Sequence, residues 1–233
     1  MIYDLPFFYD SFEAADAVMD GSVGDHLFER LKEETGIVGL AWWDNGFLHM
    51  TNAIRPINTI EDMTGLNIRI IPSPLFIATF EALGTNPTPF RCPELPAALE
   101  NGAVDAQETP VGLICTSRFY EVQDHLALTG HVYTPFVLLA SDRWFNSLSN
   151  EDKALVLEAV AETEEFQRIL SRNDADQLTG LLEQEGIEIT RPTPEAIALL
   201  GERVVALVVE QFNETIGVDL VNKARSDMAA AAQ

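Results

Sequence analysis

Short apolar, β-branched runs alternate with longer helical patterns along this chain, and that alternation restricts it to an α/β fold. Its 233 residues suit two lobes of ordinary size. An unusually long helical pattern runs from Ser149 to about Gln184, and a helix of that length can brace two lobes. The other predicted helices cover 11–19, 23–34, 75–83, 94–100, 193–215 and a stretch after Gly217, and the predicted strands cover 36–43, 66–71, 125–130, 135–140 and 187–190.

Glycine, proline and polar clusters predict where the chain turns between these elements. The triplet Asp44-Asn45-Gly46 is expected to turn the chain after the first strand, and residues 84–89 are expected to form a loop. Residues 131–134 are expected to join the strands 125–130 and 135–140. The second of these strands is apolar throughout, which predicts that it is fully buried.

Arg69 lies in the middle of the apolar run 66–71, where a buried guanidinium needs an anionic partner. Thr64-Gly65 precedes the run, Pro72-Ser73-Pro74 stops it, and a predicted helix follows. We therefore expect Arg69 to end near a loop-lined cleft and to recognise a carboxylate. The alternative is an internal salt bridge to an Asp or Glu of a neighbouring loop.

A net charge of −23, from 14 basic and 37 acidic side chains, excludes partners that carry dense negative charge. Phosphate backbones and anionic membrane surfaces would be repelled, so we expect no nucleic-acid partner. Cys92 and Cys115 lack a C-x-x-C or Cys/His cluster, which favours two unpaired thiols, no metal and no cofactor. No apolar run approaches the roughly 18 to 20 residues of a membrane span, so we expect no stable membrane insertion.

The first residues show no signal-peptide pattern, and the apolar, aromatic segment 2–9 is typical of the middle of a domain. The coding start is therefore expected to be internal to a longer gene.

Several ordered motifs, spread over essentially the whole chain, resemble the DctP-type solute-binding proteins of TRAP (tripartite ATP-independent periplasmic) transporters. The motifs are Asp4-Leu5-Pro6-Phe7, Gly46 to Pro56, Gly65-Leu66-Asn67-Ile68-Arg69, Leu83 to Pro89, Asn101 to Glu108, Phe119 to Gln123 and Leu128-Thr129-Gly130-His131. Their number and consistent spacing make the resemblance more specific than a single short pattern.

The resemblance implies a two-lobed, periplasmic-binding-protein-like fold with a long bridging helix and an incomplete first lobe. Lobe one would comprise residues 1–47 and 135–175, and lobe two residues 48–134 and 176–233. Such a receptor captures an organic acid, often a dicarboxylate, in a cleft between the lobes. It delivers the acid to the membrane permease subunits of the TRAP transporter, which implies that the mature protein lies in the periplasm.

Within this family, Arg69 matches the arginine that pairs with the ligand carboxylate through two parallel hydrogen bonds. Thr109 stands where many members have an asparagine that reaches the ligand, and its hydroxyl can still bond one carboxylate oxygen. Leu48 stands where members often carry an arginine, while His49 beside it is expected to add partial positive charge. The arginine missing at Leu48 weakens the expectation of a dicarboxylate. Cys92 stands in place of a common aromatic residue, which implies a wider or less stacked pocket on that side. The three departures together argue against copying the substrate of any one member.

Four further side chains are candidates for ligand contact: Asn52, Ser73, Trp43 and Phe136. Asn52 and Ser73 would complete the site with polar groups. Trp42 and Trp43 are successive strand residues, so one of them is expected to face the core. Phe136 is expected to belong to the hinge core and to touch the ligand from there.

Two other functions stay open at this point. In an enzyme acting on a small organic acid, Arg69 would orient the substrate while His49 or Glu108 moved a proton, but neither shows an activating partner, so a non-enzymatic receptor is favoured. The chain would otherwise be a truncated, non-functional fragment of such a receptor. Asp105 is expected to hold a turn rather than to act with Glu108 as an acid–base pair, and His131 to be a structural hydrogen-bonding residue.

Overall fold

Helices and strands alternate in the computed structural model, which describes residues 2–232 with the side chain of Glu210 excepted. The helices are α1 (Phe12–Met19), α2 (Ser22–Thr35), α3 (Ile60–Met63), α4 (Pro74–Ala82), α5 (Leu95–Glu100), α6 (Val111–Thr116), α7 (Asp142–Ser147), α8 (Asn150–Gln184), α9 (Pro194–Val204), α10 (Glu210–Ile216) and α11 (Val218–Ala231). The strands are β1 (Ile37–Asn52), β2 (Asn67–Ile70), β3 (Asn86–Pro89), β4 (Ala106–Thr109), β5 (His125–Ser141) and β6 (Glu188–Thr190). A π-helical segment, Val205–Val209, joins α9 to α10. The predicted α/β class and the long helix are thereby confirmed.

The strands form a six-stranded sheet in the order β3-β2-β4-β1-β5-β6. Strand β2 runs parallel to β3 and β4, β4 runs antiparallel to β1, and β5 runs parallel to β6. The apolar positions of β2 that flank Arg69 are fully buried, as predicted for this run. Among the described residues, no helix is both long enough and apolar enough to cross a membrane.

The chain divides into two compact units. The larger unit contains the N-terminal residues through Phe8, residues 47–133 and residues 174–216; the smaller unit contains residues 9–46, 134–173 and those from Gly217 onwards. This division differs from the predicted lobes at both ends of the chain. The amide of Phe7 donates to the carbonyl of His131, 2.7 Å away, which places the first residues in the larger unit. Helix α11 instead packs on α1 and α2 in the smaller unit, where Asp227 accepts from the Ser22 hydroxyl.

The turn predicted at Asp44-Asn45-Gly46 was wrong, because these residues continue β1. The amide of Asp44 donates to Gln167 Oε1 at 2.7 Å, and its carboxylate pairs with Arg172 Nε at 2.9 Å. Asn45 Nδ2 donates to Thr134 Oγ1 at 2.9 Å. Partners distant in sequence therefore hold an extended backbone that local composition disfavours.

Two other local predictions also failed. The predicted loop at 84–89 contains β3, which tolerates its two prolines because it is the terminal strand of the sheet. The predicted connection at 131–134 belongs to the single continuous strand β5. The segment 135–140 is not fully buried either, since Phe136 is 54% exposed and Leu139 48% exposed. The apolar composition of residues 135–140 therefore does not mean that this part of the strand is buried.

Candidate functional site

The register of the sheet gathers four side chains of the larger unit on the same face as Arg69. Arg69 on β2 lies opposite Gln107 on β4, which in turn lies opposite Thr51 on β1. Two residues further along, Thr109 lies opposite His49. Because alternate residues of a strand point to the same face, Arg69, Gln107, Thr51, Thr109 and His49 share one face of the sheet.

Arg69 itself is only 5% exposed, yet it has no acidic partner in the part of the chain that the structure describes. Its Nε donates to the carbonyl of Phe90 at 3.0 Å, and its guanidinium carbon lies 5.9 Å from the centre of the Phe90 ring. The two terminal Nη groups make no hydrogen bond to another described residue. The internal salt bridge that the sequence left open is therefore not formed among these residues. Two parallel Nη donors are the arrangement that holds a carboxylate end-on.

Thr109 and Ser73 lie where parallel strands end, the edge at which α/β sheets bind ligands. Thr109 is the last residue of β4 and is nearly buried. Ser73 precedes α4, but its hydroxyl does not cap that helix. Neither hydroxyl forms a hydrogen bond within the described residues, so each can donate to or accept from a bound molecule.

His49 shares this face as a neutral side chain rather than as a cation. Its Nδ1 accepts from the amide of Gly130 at 3.0 Å, which leaves the proton on Nε2. Burial, helped by the neighbouring His131, lowers the pKa of His49 to about 3. The partial positive charge expected from the sequence is therefore absent, and His49 can contribute an N–H donor instead.

Asn52 is removed from Arg69, because it occupies the alternate position of β1 and so points to the opposite face. Its Oδ1 accepts from the amides of Ile54 and Arg55, at 2.9 and 2.8 Å, and closes the turn after the strand. This local role accounts for Oδ1 of Asn52, and a ligand contact for its side chain stays a prediction.

Trp43 and Phe136 belong to the smaller unit, so the register that gathers the other side chains does not extend to them. Trp42 is the core member of its pair, stacked on Phe28 with ring centres 4.6 Å apart, as expected for one of the two tryptophans. A ligand contact for Trp43 and Phe136 stays a prediction. A cavity of about 390 Å³ in this unit is lined by charged side chains of α1 and α8 and by none of the predicted ligand residues.

Sequence reasoning missed a buried relay of hydrogen bonds beside Arg69. Gln107 Nε2 donates to Thr51 Oγ1 at 2.8 Å, and Thr51 Oγ1 donates to Gln123 Oε1 at 2.9 Å. All three side chains are buried. It also missed Phe90, whose carbonyl fixes Arg69. Polar residues in an otherwise apolar strand were the available signal for Gln107, but the partners depend on register, which the sequence does not reveal.

Glu108 and His131 occupy a different environment, since Glu108 alternates with Gln107 and so points to the other face of the sheet. Burial raises the pKa of Glu108 to about 8; the charge of Arg69 and the amide of Ile71 oppose this, and Asp4 adds to it. Glu108 Oε2 lies 3.9 Å from His131 Nε2. Burial also lowers the pKa of His131 to about 3, so both groups are neutral near pH 7.

Two further expectations hold in this region. His131 Nδ1 lies 2.7 Å from the hydroxyl of Thr129 and is a buried structural hydrogen-bonding residue, as predicted. Asp105 accepts from the backbone and side-chain nitrogens of Asn67 at 3.0 and 2.8 Å, which confirms its role in holding a turn. Among the residues that the structure describes, no group of His, Cys, Asp and Glu side chains could hold a metal ion.

Comparison with known proteins places this arrangement in a family. The model of the DctP family, described as bacterial extracellular solute-binding protein, family 7, matches residues 1–215. The chain belongs to the DctP family. A sugar acid-binding protein of Advenella mimigardefordensis, solved in complex with galactonate, is 36% identical and superposes with a TM-score of 0.92, over 99% of this chain and 74% of that one. The predicted periplasmic-binding-protein-like fold is thus confirmed.

Curated relatives include solute receptors with different ligands. The 2,3-diketo-L-gulonate-binding periplasmic protein of Escherichia coli K12 is 35% identical over 81% of this chain and 57% of its own length. The C4-dicarboxylate-binding periplasmic protein of Rhodobacter capsulatus is 29% identical over 94% and 66%, respectively. The chain spans 57% to 67% of the length of three curated relatives that it matches at 33% to 37% identity.

Proposed function

We propose that this chain is part of the substrate receptor of a TRAP transporter and captures an organic acid through Arg69. The observation that carries the proposal is the state of Arg69: its guanidinium is nearly buried, its Nε is occupied by Phe90, and both Nη groups lack an anionic partner among the described residues. Burying an uncompensated charge is costly. A ligand carboxylate would compensate it.

Polar groups near Arg69 supply hydrogen bonds for the rest of the ligand. The hydroxyls of Thr109 and Ser73 and the Nε2–H of His49 can bond oxygen atoms of the ligand. Leu48, where members of the family often carry an arginine, is buried and apolar. The second carboxylate of a dicarboxylate would therefore lack that anchor, and the proposed ligand is an acid with one carboxylate and hydroxyl or carbonyl groups. The ligands of the two receptors for galactonate and diketogulonate are acids of this kind.

The proposal includes no chemical reaction. The known members that this chain resembles are receptors. Asp105 holds a turn, and burial lowers the pKa values of His131 and His49, so none of these three residues supplies an acid–base pair beside Arg69. A receptor needs only a site that binds the acid reversibly.

For a receptor of this family the next carrier would be the membrane-embedded permease of the transporter, and the place of action would be the periplasm. The similarity to periplasmic receptors of Escherichia coli and Rhodobacter capsulatus supports this location. The strongly acidic composition agrees with a partner other than nucleic acid.

A thermal-shift screen tests the proposal with galactonate, D-erythronate and succinate as probes. A ligand present at about 100 times its dissociation constant adds roughly 2.7 kcal/mol to the free energy of unfolding and raises the melting temperature. We expect a larger shift with the two hydroxy acids than with succinate. A cooperative melt that none of a broad panel of organic acids shifts would contradict the proposed function.

A further inference from the structure

Gln107 carries a buried hydrogen-bond acceptor that no described residue satisfies. Its side chain is 0% exposed, and its Oε1 has no partner. Buried polar atoms without a partner are rare in folded proteins, because each costs the free energy of its lost hydration. The orphaned atom belongs to the residue directly opposite Arg69 in the sheet.

The orientation of the Gln107 amide follows from the relay that holds it. Gln123 Nε2 can only donate, and it does so to the carbonyl of Val122 at 2.9 Å, so Gln123 Oε1 must receive the hydroxyl proton of Thr51. Thr51 Oγ1 must then accept from the Nε2 side of Gln107. The amide cannot be reversed without losing this bond, and Oε1 is left as the atom without a partner.

Arg69 carries the complementary excess of donors. Its Nε is occupied by the Phe90 carbonyl, whereas its terminal nitrogens have no described partner. An end-on carboxylate would take one N–H from each Nη, and the second N–H of each would stay available. Gln107 Oε1, which has no donor among the described residues, and the Arg69 Nη groups, which have N–H groups to spare, thus lie on neighbouring strands and on the same face of the sheet.

We infer that Gln107 is a positioning residue for Arg69. When the guanidinium holds a carboxylate, Gln107 Oε1 accepts a hydrogen bond from a remaining Nη N–H and so fixes the plane of the guanidinium. The inference rests on the proposed function and extends it, because it assigns the buried relay Gln107–Thr51–Gln123 to ligand capture. The relay holds the amide of Gln107 so that Oε1 stays available, and the Phe90 carbonyl restrains Arg69 at Nε.

Calorimetric titration of Gln107→Met tests this assignment with galactonate, D-erythronate and succinate as probes. The variant removes Oε1 but keeps a side chain of similar length, and the affinity for the acids that bind the wild type should fall roughly 10- to 100-fold. Gln123→Met is the matched control, because it makes the same change at the far end of the relay. It should lower the melting temperature while changing the affinity by less than about threefold.

Nitrogen NMR of the Arg69 side chain gives a readout that a merely structural role would not change. In the wild type, the acid should slow rotation of the Arg69 Nη groups so that their signals separate. That separation should persist in Gln123→Met and disappear in Gln107→Met. If Gln107→Met fails to fold, Gln107→Glu replaces it: a carboxylate there would pair with Arg69 and abolish acid binding at neutral pH while the melt stays cooperative.

The outcomes separate the two proposals. Wild-type affinity in Gln107→Met or Gln107→Glu, or an equal loss in Gln107→Met and Gln123→Met, would overturn the positioning role while leaving the receptor proposal intact. A wild-type chain that binds none of the acids would overturn both.

Discussion

Glu108 links the stability of the larger unit to pH through a single proton. Its side chain is 0% exposed, and burial raises its pKa to about 8 from the ordinary 4.5. The folded protein therefore retains a proton that the unfolded chain releases above pH 4.5. The stabilisation is complete below that pH and is lost as the pH rises towards 8.

We predict that Glu108→Gln removes the loss of stability at high pH, because the amide stays neutral at every pH. Between pH 7 and 9 the free energy of unfolding of the wild type should fall by roughly 1–2 kcal/mol relative to the variant, at up to about 1.4 kcal/mol per pH unit. Urea denaturation at several pH values measures the difference. His49 and His131 do not interfere with this measurement. Because burial lowers their pKa values, their contribution to the free energy of unfolding is complete above about pH 6.5 and is lost only as the pH falls towards 3. Parallel pH profiles for wild type and variant would contradict this prediction.

At the residue scale, the sequence singles out Arg69 but does not reveal which side chains surround it. Arg69 stood out because a charge interrupts an apolar strand, and the structure leaves it without an acidic partner among the described residues. Gln107 lies in one of the family motifs, but its role could not be predicted because it depends on which residue lies opposite it in the sheet. Asn52 was assigned to the site although strand alternation turns it away from Arg69.

Helix α8 is fixed within the smaller unit by two arginines one turn apart. Arg168 bonds Asp20 through both Nη groups at 2.7 Å, and it also donates to the carbonyl of Trp42. Arg172 bonds Asp16 at 2.6 and 2.9 Å and Asp44 at 2.9 Å. Burial alone would lower the pKa of Arg172, but its bonds to these two carboxylates outweigh that effect and raise it.

Removing Arg168 should destabilise the smaller unit strongly, because Asp20 and Glu164 would then lose their counter-charge beside Asp16. We predict that Arg168→Met lowers the free energy of unfolding by roughly 2–4 kcal/mol, somewhat less than a fully buried pair because Asp20 is half exposed. Arg30→Met is the matched control, since it breaks the exposed pair with Glu34 on α2 and should cost less than about 0.5 kcal/mol. Equal effects of the two substitutions in urea denaturation would show that the network does not stabilise α8.

Elements with a strong period were predicted well, and those decided by distant partners were not. Helices α1, α2, α4 and α8 follow their apolar spacing and caps to within a few residues. Strand β1 passes through Asp44-Asn45-Gly46 because α8 and β5 supply hydrogen bonds to these residues. Strand β3 contains two prolines, which it tolerates because it lies at the end of the sheet and, among the described strands, pairs only with β2. Local propensity does not indicate that position.

At the scale of the whole molecule, the family and its α/β fold followed from motifs spread over the chain. The family match and the superposition with a TM-score of 0.92 confirm both. The division into units was less predictable. The lobes implied by the resemblance place α11 together with residues 176–216, whereas Asp227 and its neighbours tie this helix to α1 and α2. Tertiary contacts between the ends of a chain leave no periodic signal in the sequence.

Calorimetric titration of wild type and Arg69→Ala with galactonate, D-erythronate and succinate tests the central claim most directly. If Arg69 is the carboxylate anchor, the wild type should bind at least one of the acids. The substitution should then cost roughly 3–5 kcal/mol of binding free energy, enough to abolish detectable binding while the protein still melts cooperatively. Unchanged affinity in Arg69→Ala would contradict the claim.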